Sequence, residues 1–446
     1  MKELDRLKTV VRAVDDLPET EIFGRVTGVQ GLLVEVAGPL HAFAVGARLF
    51  VETGARSGVM IEVVGFRGDV ALCLPFDTVE GVRMGCRAIL KDTAPSVRPS
   101  AQWLGRVIDA LGRPVDGKGP LLDGADAFHI KASPPPPASR ARLGPPIDLG
   151  VRALNTFVTC CEGQRMGIFA GSGVGKSVLL SMLARNTAAD VAVIGLIGER
   201  GRELQEFIED DLGPEGLKRA VIVVATSDES ALMRKQAAYL AMTTAEAFRA
   251  QGKSVLLMMD SLTRFAMAQR EIGLAAGEPP TSRGYPPTTF TELPRLLERA
   301  GPGPRGEGTI TGLFTVLIEG DDHNEPIADA VRSIVDGHIV MERSIAERGR
   351  YPAINILKSV SRTMPGSVPE ARRPLIRNAR NLMSVYADME ELIRLGAYRR
   401  GSDADVDRAI GLHDDFETFL SQDKKDRTSL EEGYDRLAAI LDGQEG

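Results

Sequence analysis

The spacing of apolar residues changes several times along this chain, and each change predicts a different kind of element. Over residues 1–14, Leu4, Leu7, Val11 and Val14 recur at helical spacing with charged residues between them. A helix this short is marginal alone, so its stripe either packs on the domain that follows or docks a partner. From about 22 to 90 the pattern becomes short β-branched runs broken by glycine: FGRVTGVQGLLVEVAG, ARLFVETG and GVMIEVVGFRGDVALCLPF. These predict a small all-β barrel or sandwich, with Arg67, Gly68 and Asp69 forming a hairpin turn rather than an adhesion motif. In SPPPPAS at 133–139 the prolines cannot donate backbone hydrogen bonds. That stretch predicts an extended surface strap leading into the next core. From about 165 to 345, the runs MGIFA, VAVIGLI, AVIVVA, SVLLMMD and ITGLFTVLIEG alternate with helical stretches such as 230–252. Such alternation predicts a mainly parallel sheet with helices on both faces, its site at the carboxyl ends of the strands. After about 365 only helical periodicity remains, in ARRPLIRNARNLMSVYADMEELIRLG and DADVDRAIGLHDDFETFLSQ. The expected division is a docking helix (1–20), a β-barrel (21–92), an α/β domain (93–364) and a helical C-terminal domain (365–446).

Composition narrows the function classes. The chain has 446 residues and a net charge of −7, so no broad nucleic-acid surface is expected. One Trp and six Tyr leave few platforms for stacked bases. The first residues carry charges of both signs without a signal-peptide core, and no apolar run approaches a membrane span. A cytoplasmic protein is expected, peripheral to a membrane through partners. Cys73, Cys86, Cys160 and Cys161 have no metal-site spacing with His, and adjacent Cys160 and Cys161 suit a disulfide poorly. Reduced, partly buried thiols are expected.

The chemistry concentrates in IFAGSGVGKSVLL (168–180), which reads strand, glycine loop, helix. A tight loop of inward amides at a helix start is an anion nest. Gly171, Gly173 and Gly175 allow close backbone approach. With Ser172 and Val174 they form the cradle, Lys176 reaches the β- and γ-phosphates, and the Ser177 hydroxyl can ligate Mg²⁺. This is a P-loop, with Ala170 where the strict pattern has glycine. That change falls at the loop entrance and should leave the cradle intact. SVLLMMD (254–260) is an apolar run ending in Asp260, the Walker B arrangement for holding the metal. VAVIGLIGERGRE (191–203) ends its apolar run at Glu199, a carboxylate able to polarise water. Arg200 and Arg202 follow and could balance phosphate charge. In SVSR (359–362), past the last strand expected from these runs, Arg362 is a candidate arginine finger. The sequence leaves open whether it serves its own site or a neighbour's.

In order and spacing, AGSGVGKS, IGERGRE, LLMMDSLTRFA and YPAINILKSVSR closely resemble the catalytic subunits of the rotary-type ATPase superfamily. The last fits the superfamily signature through Pro352, Ala353, Ile354, Asn355, Ser359 and Ser361. ERGRELQEFIEDDLG, VVATSDES, RFAMAQREIGLAAGEPPTSRGYPPT and LPRLLERAGPG resemble the type III protein export branch. The flagellum-specific members are the most similar and those of virulence injectisomes nearly so. Over nearly the whole chain, the resemblance implies a RecA-like P-loop core between a β-barrel and helices, using ATP and Mg²⁺. Matching positions imply Lys176 and Ser177 at phosphate and Mg²⁺, Glu199 as base and Arg200 near the γ-phosphate. They also imply Asp260 at the metal, Arg264 as a second phosphate-facing arginine and Tyr351 stacked on adenine. Arg362 would be a finger offered to an adjacent subunit of a homohexamer. Implied partners are a stator-like regulator at the N-terminal helix, a central stalk, a membrane export gate and cargo–chaperone complexes, at the inner membrane. SQDKKD (421–426) lacks the aromatic that covers the other adenine face in synthase β subunits, so base selectivity is less defined, with ATP favoured over GTP. The rival readings are a proton-coupled synthase subunit, an RNA-translocating hexameric helicase and a nucleotide-binding scaffold. The acidic balance opposes the helicase, and Glu199, Asp260 and Arg362 oppose the scaffold.

Overall fold

The computed structural model describes residues 21–54, 57–318 and 325–443. The expected N-terminal helix lies outside the described residues. Two compact units divide the chain: one extends to Pro95 and takes in Ala275–Gly277, and the other comprises the remainder.

The first unit is a closed six-stranded antiparallel barrel. Its strands are β1 (Phe23–Gln30), β2 (Leu33–Ala37), β3 (Arg48–Glu52), β4 (Gly58–Arg67), β5 (Val70–Pro75) and β6 (Arg87–Asp92), in the order β1-β2-β5-β4-β3-β6. The β1–β6 pairing closes it, with Phe23 opposite Ile89. Period-two alternation turns Val26, Val34, Val36, Leu49, Val51, Ile61 and Val63 inward. Arg67 pairs with Val70 across Gly68 (φ 55°) and Asp69, so the Arg-Gly-Asp stretch is a two-residue hairpin turn.

The second unit is built on one sheet. Its strands run Ile354–Ser361, Gly337–Met341, Arg165–Ala170, Thr309–Leu317, Ser254–Asp260, Val191–Glu199, Ala220–Thr226 and Arg106–Asp109. All neighbours along this path are parallel except the first pair. Gly301–Pro302 adds a short antiparallel bridge to Thr309–Leu317. Three of these strands do not stand out in the hydrophobic pattern. Arg106–Asp109 has four residues and sits at an edge, so the segment after the barrel is not only a strap. Gly337–Met341 is short, and Ile354–Ser361 carries Asn355, Lys358 and Ser359 among its apolar residues. Ile354–Ser361 is the other edge strand, and its burial alternates, as a half-exposed strand requires. The sheet therefore does not end with Thr309–Leu317; Arg362 directly follows a strand of it.

Three helices, Arg373–Arg394, Ala404–Leu420 and Leu430–Asp442, follow the last strand. The third is not in the periodic stretches above; a capping box between Ser429 and Glu432 starts it. Leu382, Leu412, Phe416 and Leu437 pack in one core with Leu179, Leu183 and Ile354, and Phe419 meets Phe157 edge to face at 6.0 Å. All four cysteines are buried free thiols, and burial pushes Cys160 well above the ordinary thiol range. Among the described residues no helix is long and apolar enough to cross a membrane.

Candidate active site

Strand Arg165–Ala170 is buried from its second residue and releases the chain at Gly171. Ala170 is the strand's last residue, fully buried and paired with Leu317 and Met341. Alanine is at ease in that extended backbone, so the missing glycine falls outside the loop. Gly173 (φ 78°) and Gly175 (φ 84°) occupy the left-handed region. Gly175 is the N-cap of helix Lys176–Asn186, and a side chain there would come within 3.2 Å of the Tyr351 ring. Val174 pins the loop by its burial, while Ser172, Gly173 and Ser177 are exposed. Free amides of 171–177 at the start of an eleven-residue helix make an anion cradle.

Parallel pairing brings the carboxyl ends of three strands to that cradle. Leu196 lies opposite Asp260, and Met259 opposite Phe314. Lys176 Nζ donates to Asp260 Oδ1 at 2.6 Å and to Glu199 Oε1 at 3.4 Å. The three side chains are nearly buried, at 12%, 7% and 17% exposure. Burial works to lower the Lys176 pKa, but the facing carboxylates outweigh it and raise the value. Burial raises Glu199; the Lys176 ammonium opposes the rise, while Asp260 and Glu203 add to it. An elevated value makes Glu199 a stronger base than an exposed glutamate.

The arginines divide. Arg264, on helix Leu262–Ala275, packs where Gly198 (φ 69°) lets the strand end come close; a side chain at Gly198 would reach its Cβ at 2.9 Å. Its Nε is buried without a hydrogen-bond partner among the described residues, an unpaired donor on a side chain packed against Gly198. Arg200 directly follows Glu199; its side chain is 81% exposed, with Glu203 3.7 Å away. Arg202 likewise turns out to Glu206. Helix Gly201–Glu206 begins there and leaves both side chains exposed. Tyr351 is 43% exposed beside Gly175. Its carbonyl accepts from Gln422 N at 2.8 Å, so the 421–426 loop does come to this place, with Gln422 itself buried.

Arg362 stands at the other end of the sheet. Ile354 pairs with Met341, on the cradle side, whereas Ser361 pairs with Gly337 at the start of that strand. Arg362 N donates to Asp336 O at 2.9 Å, and its side chain is exposed. Seven residues of strand separate the two ends by roughly 23 Å, too far for a guanidinium to reach its own cradle.

The ATP synthase alpha/beta family nucleotide-binding domain matches residues 150–361, and the T3SS EscN ATPase C-terminal domain matches 368–439. A flagellum-specific ATP synthase of Caulobacter vibrioides is 58% identical, over 98% of this chain and 100% of its own length. The chain belongs to the flagellum-specific ATP synthase and type III secretion ATPase family. It is an ATPase. A type 3 secretion system ATPase of Xanthomonas euvesicatoria is 46% identical over 97% of both chains. The assembled ATPase EscN of the enteropathogenic E. coli type III secretion system superposes with a TM-score of 0.88 at 42% identity, covering 94% of this chain and 100% of its own. EscN in complex with its central stalk EscO superposes with a TM-score of 0.85 at 41% identity, over the same shares.

Within this type III export ATPase, several residues join the site that motif reading passed over. Thr315 donates its hydroxyl to Asp260 Oδ1 at 2.6 Å. It is one of two threonines inside the run ITGLFTVL. Arg343 Nη2 donates to Ser172 O at 3.3 Å, bracing the loop. Gln164 and Ser361 form a buried pair, Nε2 to Oγ at 3.0 Å, and Ser361 donates on to Thr159 O at 2.8 Å. Thr363 donates to Gln164 Oε1 at 3.2 Å, so both neighbours of Arg362 are tied to the subunit body. No local signal marked Gln164.

Tyr351→Ala provides a test of the base-facing position. Loss of one stacking face costs on the order of 1–3 kcal/mol. Steady-state kinetics should give an ATP KM raised about tenfold with kcat changed less than about threefold. An unchanged KM would remove Tyr351 from base binding.

Proposed function

We propose that this chain hydrolyses Mg-ATP as a homohexameric ring at the cytoplasmic base of a type III export apparatus, the flagellar one first and a virulence injectisome second. The cycle would release export cargo from chaperones and promote its entry into a membrane gate. A central stalk in the ring and a stator-like regulator at residues 1–20 complete the proposed assembly. The carrying observation is Lys176 between Glu199 and Asp260 at the glycine cradle, with Arg362 displayed at the opposite end of the same sheet.

The roles follow from those positions. Lys176 is held by two carboxylates; a triphosphate entering the cradle supplies stronger anionic partners, and Lys176 turns to them. Glu199, released from that pairing, orients the attacking water and accepts its proton. Arg264 Nε finds its acceptor on a phosphate oxygen. Arg362 of the adjacent copy meets the charge that develops on the γ-phosphoryl group. Mg²⁺ suits the donors: Ser177 and Asp260 offer hard oxygens, and this cation takes one or two such ligands when phosphates and water supply the rest. Bound there, it would draw charge from the β- and γ-phosphates. Thr315 and Lys176 both bond Asp260 Oδ1, which holds that carboxylate in place.

A proton-coupled synthase subunit is the second reading, favoured by the match to the ATP synthase alpha/beta family. It requires a noncatalytic partner chain. If the ring is built from this chain alone, specific ATPase activity of the purified protein rises with concentration and then saturates. Activity that stays negligible at every concentration until another chain is added would favour the synthase.

The raised Glu199 value also sets a pH dependence. Glu199 must be ionised to accept a proton, so activity is lost as pH falls through its value. The acidic limb of kcat/KM should therefore lie above the ordinary glutamate range. The residual activity of Glu199→Gln should lack that limb; an identical limb in the variant would assign it to another group.

A further inference from the structure

The groove beside Arg362 carries charge that its own chain does not answer. Between residues 354 and 380 there are six basic side chains and one acid, Glu370; two of the six, Lys358 and Arg372, pair with Glu342 and Asp435 of the same chain. A cavity of 340 Å³ lies between the edge strand and helix Arg373–Arg394, lined by Val360, Met364, Ile376, Arg373, Arg377 and Arg380 among others. Arg373 and Arg380 donate to the carbonyls of Val368 and Phe157. Arg377 is exposed. None of the three, nor Arg362, pairs with a carboxylate among the described residues. Burial holds Arg380 below the ordinary guanidinium range.

The opposite pattern flanks the catalytic glutamate. Residues 199–215 hold seven acids and two arginines. Phe207 and Leu212 are buried, whereas Glu206, Glu209 and Asp210 are exposed. Glu206 pairs with Arg202 within the segment, Asp211 pairs with Lys424, and among the described residues Glu209 accepts only from Gln205 Nε2. Glu209 lies ten residues past Glu199, within roughly 15 Å at helical rise.

We propose that the arginine-lined groove next to Arg362 receives the acidic segment 206–211 of the adjacent copy of this chain. The inference rests on the trans placement of Arg362. If that guanidinium reaches the neighbour's cradle, surfaces near Arg362 on one copy must face surfaces near Glu199 on the next. One of these is basic and apolar, the other acidic. The contact makes finger insertion and ring assembly one event: Met364 and Val360 provide the apolar floor, and Arg373, Arg377 and Arg380 meet the carboxylates. Because it continues the strand that carries Arg362, it aims the finger and needs no group of the hydrolytic machinery.

The test is a charge exchange in the full-length chain, read by sedimentation velocity with Mg-ADP and fluoroaluminate. Arg377→Glu and the pair Glu209→Lys/Asp210→Lys should each raise the apparent dissociation constant of the ring about tenfold, as rim charges do across complementary surfaces. Raising salt should weaken the parent ring and not the variants. The chain carrying all three substitutions should recover association to within about threefold of the parent. Unchanged melting temperature and 1:1 ADP uptake by each variant show that folding is intact. Normal association of the single-side variants, or a loss that the combined chain does not recover, overturns the proposal. An equimolar mixture of Arg362→Ala and Lys176→Ala chains separates the two claims. Activity in that mixture together with failed charge exchange sinks the docking surface alone, and an inactive mixture sinks the trans finger beneath it.

Discussion

Glu199→Gln is expected to bind Mg-ATP with near-parental affinity and to turn it over about a thousandfold more slowly. The substitution keeps the volume and the hydrogen-bonding reach of the side chain but removes its capacity to accept a proton. A positioned general base contributes about 10²–10⁴ in rate, so the midpoint corresponds to roughly 4 kcal/mol of activation free energy. Binding should survive because the cradle amides, Lys176 and Ser177 are untouched. It should even tighten slightly, since one of the two carboxylates that hold Lys176 is neutralised. Rapid-quench measurement of a single turnover, beside calorimetric uptake of Mg-ADP, separates the two effects. Near-parental turnover would take Glu199 out of the base role, and loss of uptake would make it part of the binding site.

Arg362→Ala should assemble and bind nucleotide yet lose about a thousandfold in kcat, the lower end of the range for arginine fingers. Its distance from the cradle of its own chain gives this prediction a second part. Ser361 lies beside Gly337, at the strand end opposite Gly171, so the defect should appear in the neighbour's site. In the equimolar mixture with Lys176→Ala, each parent is inactive, one lacking fingers and the other lacking cradles. Where a finger-intact copy abuts a cradle-intact copy, a complete site forms. With random assembly about a quarter of the sites are complete, and activity should rise toward that fraction. A mixture no better than its parents would mean that Arg362 does not serve the cradle of an adjacent copy.

What the sequence disclosed followed from how local each feature is. The glycine cradle is contiguous, so AGSGVGKS displays the loop, the helix start and the charged groups together. Asp260 and Glu199 were legible because each ends an apolar run, and a parallel sheet gathers such ends on one edge. The place of Arg362 was not legible in the same way. It depends on Ile354–Ser361 running antiparallel at an edge, and the polar residues of that strand hide its identity. Arg200 shows the converse limit: it directly follows Glu199, yet the helix starting at Gly201 turns it to solvent. The approach of Tyr351 to Gly175 joins residues 176 positions apart, and only the pairing of Gly337–Met341 with both neighbouring strands brings them together. Gln164 belongs to the same class, since a buried hydrogen bond between distant parts of the chain leaves no local pattern.

The central claim is that one triphosphate is gripped by Lys176, faced by Glu199, and completed by Arg362 of the next copy. Electron cryomicroscopy of the ring trapped with Mg-ADP and fluoroaluminate tests it most directly. The account predicts the fluoroaluminate about 3 Å from Lys176 Nζ and from the partner copy's finger guanidinium, with the Glu199 carboxylate on the far side of an in-line water. A fluoroaluminate contacted by no residue of the adjacent copy, or a Glu199 turned away from it, would contradict the account.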